Sequence, residues 1–219
     1  MGAAEHLRTY SVGELEKIAA QELQKLREIR HFSIPIDIET IVEKFHEVVI
    51  DVHRGLKENH HLWGIVGRDL DTDKITILID DQLLDLNYHL KLYRMTIAEE
   101  FGHVLLHREA IEKVKSAEDF KALQNHGDWD KHDRNAKRLA AALLMPAKNI
   151  LDDSRILYEQ MVSLVGYNNP EAIKKQIAHK LSEKYEVSVA SMRFRLNEWP
   201  INVIDKIDNA MRDSLDFLD

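Results

Sequence analysis

The sequence predicts an α+β fold: a small, mostly antiparallel sheet packed on helices, with a helical C-terminal extension. Three observations carry this. Short β-branched and apolar runs cluster between residues 48 and 79. A long amphipathic segment follows over 87–107. Beyond Pro146 the apolar residues keep helical spacing almost to the end.

The elements follow in order. Ser11-Val12-Gly13-Glu14 reads as a capping box. Leu15, Ile18, Ala19, Leu23, Leu26 and Ile29 continue it at helical spacing, giving a helix over 12–30. Pro35 interrupts the chain, and Asp37 caps a short helix carrying Ile38, Ile41, Val42 and Phe45. Val48 to Val52 is strand-like. Leu62–Gly67 and Lys74–Ile79 read as a hairpin around the polar turn Asp69-Leu70-Asp71-Thr72-Asp73.

The helix over 87–107 places Ile97, Phe101, Val104 and Leu105 on one face, expected to be the core. Thr96, Glu99, Glu100, His103 and His107 fall on the other. Residues 112–131 are polar and read as a loop or frayed helix. Arg134 to Met145 is a second helix, rich in alanine and leucine, stopped at Pro146. Asn169-Pro170 opens a further helix and Ser188 caps another. The expected division is an N-terminal helix over 1–33, a central domain over 34–160 and a helical extension over 161–219.

Composition narrows the function. With 44% hydrophobic and 31% charged residues among 219, the chain has enough apolar material for a core. The absence of cysteine excludes disulfides, thiolate zinc sites and cysteine catalysis, and fits a reducing compartment, hence the cytoplasm. No apolar run approaches the ~20 residues that cross a bilayer, so no membrane partner is expected. Met-Gly-Ala-Ala-Glu-His lacks a signal-peptide pattern. A net charge of −8 argues against a general phosphate-binding surface and favours protein or small-molecule partners. Ser188 to Trp199, with Arg193 and Arg195, has the form of a DNA-recognition helix, but no basic stripe accompanies it and packing is the expected role.

The chemistry concentrates in Thr96-Ile97-Ala98-Glu99-Glu100-Phe101-Gly102-His103-Val104-Leu105-Leu106-His107. Zinc peptidases carry H-E-x-x-H on a helix: two histidines one turn apart hold the metal and the glutamate is the general base. Here Glu99 stands where the first histidine would be, Glu100 at the base position and His103 at the second ligand position. A third ligand must come from elsewhere. Asp133, opening the next strong helix, is the best candidate, with His132 as a substitute. The plainer reading is that Glu99, Glu100 and His103 form a solvated helix face. Gly102 costs ~1 kcal/mol in a helix relative to alanine. It is expected where another backbone lies close, such as an edge strand presenting a substrate. His126 and His132 are expected in surface loops, and His107 as an outlying histidine rather than a ligand.

Arg94 to His107 resembles the signature R-F-T-x-A-H-E-x-G-H-x-x-x-H of the ImmA/IrrE metallopeptidase family. Asp133 to Pro146 resembles that family's second block, E-x-x-A-N-x-F-A-A-x-L-L-M-P. Ile34-Pro35-Ile36-Asp37-Ile38 is similar to its P-V-D segment, and Val187-Ser188 with Arg195-Leu196 to its closing helix. The resemblance spans residues 34–198 in order. It implies a zincin-like domain, with Glu99, His103 and Asp133 at the ligand positions and Glu100 as general base. It also implies a metal-dependent endopeptidase acting on a regulatory protein, such as a helix-turn-helix repressor, of a mobile element, toxin–antitoxin or stress circuit. The alternative is a catalytically inactive member that serves as a protein-binding module.

The chain departs from the pattern at Glu99, Asp133, Met95, Lys137 and Leu139. Two carboxylates and one histidine leave a Zn²⁺ site neutral, where two histidines and one carboxylate leave it at +1. A less positive centre acidifies bound water less and admits Mn²⁺ more readily, so the cofactor is expected to be Zn²⁺, with Mn²⁺ or no metal as alternatives.

Overall fold

The computed structural model describes residues 7–29, 33–46, 48–69, 71–114, 119, 125, 127–165 and 169–216. It forms two compact units, residues 1–144 and 145–219.

In the first unit α1 (Val12–Ile29) starts at the capping box: Ser11 N–H donates to Glu14 Oε2 at 2.9 Å and Glu14 N–H to Ser11 Oγ at 3.3 Å. Leu15, Ala19, Leu23 and Leu26 are its buried stripe. Asp37 opens α2 (Ile38–His46) by accepting from Thr40 N–H at 3.0 Å. Then come β1 (Val49–His53), the one-turn α3 (Leu56–His60), β2 (Gly64–Arg68) and β3 (Ile75–Asp80). The predicted hairpin is present, β2 antiparallel to β3 with Val66 opposite Ile77. Asp69 holds its turn, its Oδ1 accepting from Asp71 N–H at 2.8 Å.

The sheet is mixed. β1 joins β3 in parallel on the far side, with Ile50 opposite Ile77, so the order is β1-β3-β2. β3 is therefore central, and Ile77 and Ile79 are buried. Thr76, Ile77 and Leu78 are paired on both sides and offer no free edge; the strand at the sheet edge beside α4 is β2.

A short 3₁₀ turn (Asp81–Leu84) leads into α4 (Leu86–Glu112). Ile97, Phe101 and Val104 are buried as expected, whereas Leu105 is only half-buried and Leu106 takes its place inside. Thr96, His103 and His107, on the face opposite the expected core, are buried too, because α4 is covered on both sides. His107 leaves helical geometry (φ −133°, ψ 22°), and Tyr10 Oη donates to the carbonyl of Leu106 at 3.1 Å, so the bend has a hydrogen-bonding partner in place. α5 (Trp129–Leu144) packs against α4 and α1 through Ala136, Leu139, Ala140 and Leu143. Most of the stretch expected to be a loop or frayed helix over 112–131 lies outside the described residues, as does His126.

Among the described residues the second unit has four helices: α6 (Ala147–Val165), α7 (Pro170–Lys184), α8 (Val189–Asn197) and α9 (Val203–Asp216). Asn169 caps α7, accepting from Ala172 N–H at 3.0 Å, and Ser188 caps α8, accepting from Ser191 N–H at 3.0 Å. Ile173, Ile177, Leu181, Met192 and Leu196 fill its centre. Arg195 is 1% exposed and its Nε donates to the carbonyl of Met145 at 3.0 Å. An arginine so placed serves packing, which removes it from any basic face on α8. Among the described residues no helix is long and apolar enough to cross a membrane.

Candidate functional site

A cavity of about 510 Å³ opens in the first unit between β2 and the helices α4 and α5. One wall is the strand edge with Trp63, Gly64, Ile65 and Gly67; Met95, Thr96 and Glu100 face it from α4. The strand approaches α4 closely at Gly64. A Cβ there would lie 2.5 Å from Thr96 Cγ2 and 3.1 Å from Glu100 Cγ, so the strand reaches the glutamate only because this residue has no side chain.

The four positions singled out in the sequence all line this cavity: Glu99, Glu100 and His103 from one turn of α4, and Asp133 from the first turns of α5. Helical spacing accounts for Glu99 and His103 sharing a side. The α4–α5 packing brings Asp133 to them. His103 Nε2 lies 3.7 Å from Asp133 Oδ1. The His103 ring stacks on Trp129 with centroids 5.5 Å apart and planes 3° from parallel, which fixes its orientation.

A fifth side chain enters the cluster. Lys137, one turn beyond Asp133, donates from Nζ to Asp133 Oδ2 at 2.7 Å and lies 3.6 Å from Glu99 Oε1. Its ammonium thus joins the two carboxylates. Among the described residues, no three histidine, aspartate or glutamate side chains converge on a point that would hold a metal ion. As arranged, the cluster does not fit a divalent cation: the Lys137 ammonium already pairs with one oxygen of each carboxylate that a metal would need.

The electrostatics follow from burial and from this cation. Desolvation raises Glu100 to about 7, with His103 opposing and Glu99 and Asp133 adding to the rise. The backbone N–H of Val66, on β2, also hydrogen-bonds this carboxylate. Desolvation raises Glu99 as well, against the pull of Lys137. Asp133 is lowered to about 2, chiefly by His103 and then by Lys137. Burial works against the charge of Lys137, but Asp133 and Glu99 outweigh it and hold the ammonium above its ordinary value. The cluster therefore separates one carboxyl group that is neutral or charged near neutrality, Glu100, from one that stays ionised, Asp133.

Two expectations are corrected here. Gly102 does lie against another backbone, but the neighbour is α5 and not an edge strand: a Cβ would meet the carbonyl oxygen of Ala136 at 2.8 Å. His132, expected in a surface loop, is 2% exposed on α5, its ring 5.0 Å from that of His107. It is buried because α5 begins at Trp129, before the expected Arg134. Lys137 was missed as a member of the site. Its spacing of four from Asp133 on a predicted helix was the available signal.

A family model for Peptidase M78, the IrrE N-terminal-like domain, matches residues 64–197. The chain belongs to this family, and the membership supports a metallopeptidase-type function. The match begins at Gly64 and covers β2, both site helices and the second unit through α8. No curated protein matches the chain.

Proposed function

We propose that this chain binds an extended segment of a regulatory protein, of the helix-turn-helix repressor type, in the cavity between β2 and α4. The observation that carries this is the placement of an edge strand along one wall of a half-apolar groove with a titratable carboxyl group at its floor. An edge strand recognises extended backbone by hydrogen bonding, and the apolar lining of Leu62, Ile65, Leu92 and Met95 accepts alternate side chains. The regulatory circuit is the one that the family resemblance suggests: a mobile element, a toxin–antitoxin pair or a stress response.

Capture without hydrolysis is the reading favoured by the ammonium of Lys137 between Glu99 and Asp133. A metal ion in a zincin polarises the scissile carbonyl and supplies an activated water; no such step is assigned here, because the ligand set is committed to Lys137. Hydrolysis is the second reading, and Glu100 favours it: a carboxyl group that changes charge near pH 7 has the proton affinity of a general base.

Purified helix-turn-helix repressors titrated against the chain test the binding, with Trp63 and Trp129 fluorescence reporting from the cavity wall. Met95 lines the groove from α4 and is only half-buried, so Met95→Glu places a charge in its apolar wall. Binding lost in that variant supports the proposal; binding unaffected by it places the partner elsewhere. Mass spectrometry of the same mixtures, with and without added Zn²⁺ or Mn²⁺, separates capture from cleavage.

A further inference from the structure

We propose that Lys137 is the resident cation of this site: its side-chain ammonium stands in for the divalent metal and holds Glu99, Asp133 and, through Asp133, His103 in one cluster without any ion. The inference concerns the charge centre and does not rest on what the groove binds.

Four observations lead to it. The ammonium makes a 2.7 Å hydrogen bond to Asp133 and lies 3.6 Å from Glu99, so it touches carboxylates from two different helices. It thus ties the Glu99 carboxylate to the Asp133 carboxylate. Asp133 divides its oxygens, Oδ2 facing Lys137 and Oδ1 facing His103 Nε2. This is the division expected of a carboxylate that bridges two positive or proton-bearing partners. Glu99 and Lys137 are also the two positions where the chain departs from the family pattern by introducing a charge, and in the fold those departures meet. An acid placed at a ligand position adds a negative charge to a partly buried pair of carboxylates. A base placed one helical turn beyond Asp133 removes it. Lys137, on a side chain that is more than half exposed, supplies the counter-charge that the acid at Glu99 would otherwise lack.

The consequence is that metal and ammonium compete for the same oxygen atoms. A cation entering between Glu99 and Asp133 must displace Lys137 and then sit beside its charge. Metal affinity is therefore held down by a residue that is not a ligand.

The test is a Zn²⁺ titration of the full chain, followed by calorimetry, for the native protein and for Lys137→Met. Methionine keeps the length of the side chain and removes the charge. The expected result is that Lys137→Met binds Zn²⁺ at least about tenfold more tightly than the native chain. A difference below about tenfold overturns the proposal. A second measurement uses the native chain and Glu99→Gln, so it holds even where Lys137→Met fails to fold. The thermal midpoint of the native chain is expected to be the same in chelator and in excess Zn²⁺. A Zn²⁺-dependent rise that Glu99→Gln removes overturns the proposal; without such a rise it stands. Neither readout involves a peptide partner, so loss of the groove-binding reading leaves this result unchanged, and the reverse.

Discussion

Gly102→Ala gives the most direct check on how the site is built. A methyl group at this position would lie 2.8 Å from the carbonyl oxygen of Ala136, 3.1 Å from its Cα and 3.3 Å from its carbonyl carbon. Favourable non-bonded separations are ~3.5–4.0 Å, so α4 and α5 must separate by several tenths of an ångström. The clashing atoms are backbone, and no side-chain rotation relieves them. Overpacking of this kind costs ~1–3 kcal/mol. Alanine recovers ~1 kcal/mol of helix propensity lost by glycine. The net expectation is a destabilisation of up to about 2 kcal/mol, or a fall of up to roughly 4–8 °C in midpoint for a chain of this size. Ala136 lies between Asp133 and Lys137 on α5, so the same displacement lengthens the Lys137–Glu99 contact of 3.6 Å. Urea unfolding followed by Trp63 and Trp129 fluorescence measures the loss. Gly67→Ala is the control, since nothing lies within 4 Å of its added Cβ. A Gly102→Ala protein more stable than the native chain by the full helix-propensity gain refutes the close approach of the two helices.

Three further outcomes are expected. His107 is held down to about 3 by burial and by the neighbouring His103 and His132, while the unfolded chain titrates near 6.5. The unfolded state therefore binds the extra proton, and this residue removes stability as pH falls from 6.5 toward 3, ~2 kcal/mol of it by pH 5. Glu100 has the opposite sign: raised from 4.5 to about 7, it removes stability as pH rises through that window. His107→Leu is thus expected to convert a shallow stability profile between pH 4.5 and 6.5 into one that falls steadily with rising pH, read from denaturation midpoints; an unchanged profile shows that His107 is not held neutral. Ser188→Ala removes the acceptor of the 3.0 Å bond from Ser191 N–H and should cost ~1 kcal/mol, seen as a lower midpoint for the second unit through Trp199 fluorescence. The paired change Glu99→His with Lys137→Asn restores the family pattern at both positions and should give a chain that retains one equivalent of zinc after dialysis, measured by elemental analysis. Failure of that pair to take up metal would mean that the shorter Asp133 arm, and not the charge balance, is what keeps the ion out.

Much of this protein was legible before any coordinates. The Ser11–Glu14 box, the Asp37, Asn169 and Ser188 caps, the Asp69 turn and the hairpin all lie where residue type and spacing place them. Each depends on contacts within a few residues, so local preference decides it. The presence of Glu99, Glu100 and His103 on one side of one helix was equally readable, because helical geometry repeats. What only the tertiary structure decided is who meets whom. β1 adds to the far side of β3, which makes β3 central and leaves β2 as the edge beside α4. The packing partner of Gly102 is Ala136 of α5, an element separated from it by more than thirty residues. Lys137 was readable as a partner for Asp133 on its own helix, but its approach to Glu99 depends on the distance between two helices, which no periodicity encodes. Local hydrogen bonding and side-chain spacing act over one or two turns. The charge balance of the site is set by the close packing of α4 on α5, and that distance is fixed by the missing side chain at residue 102.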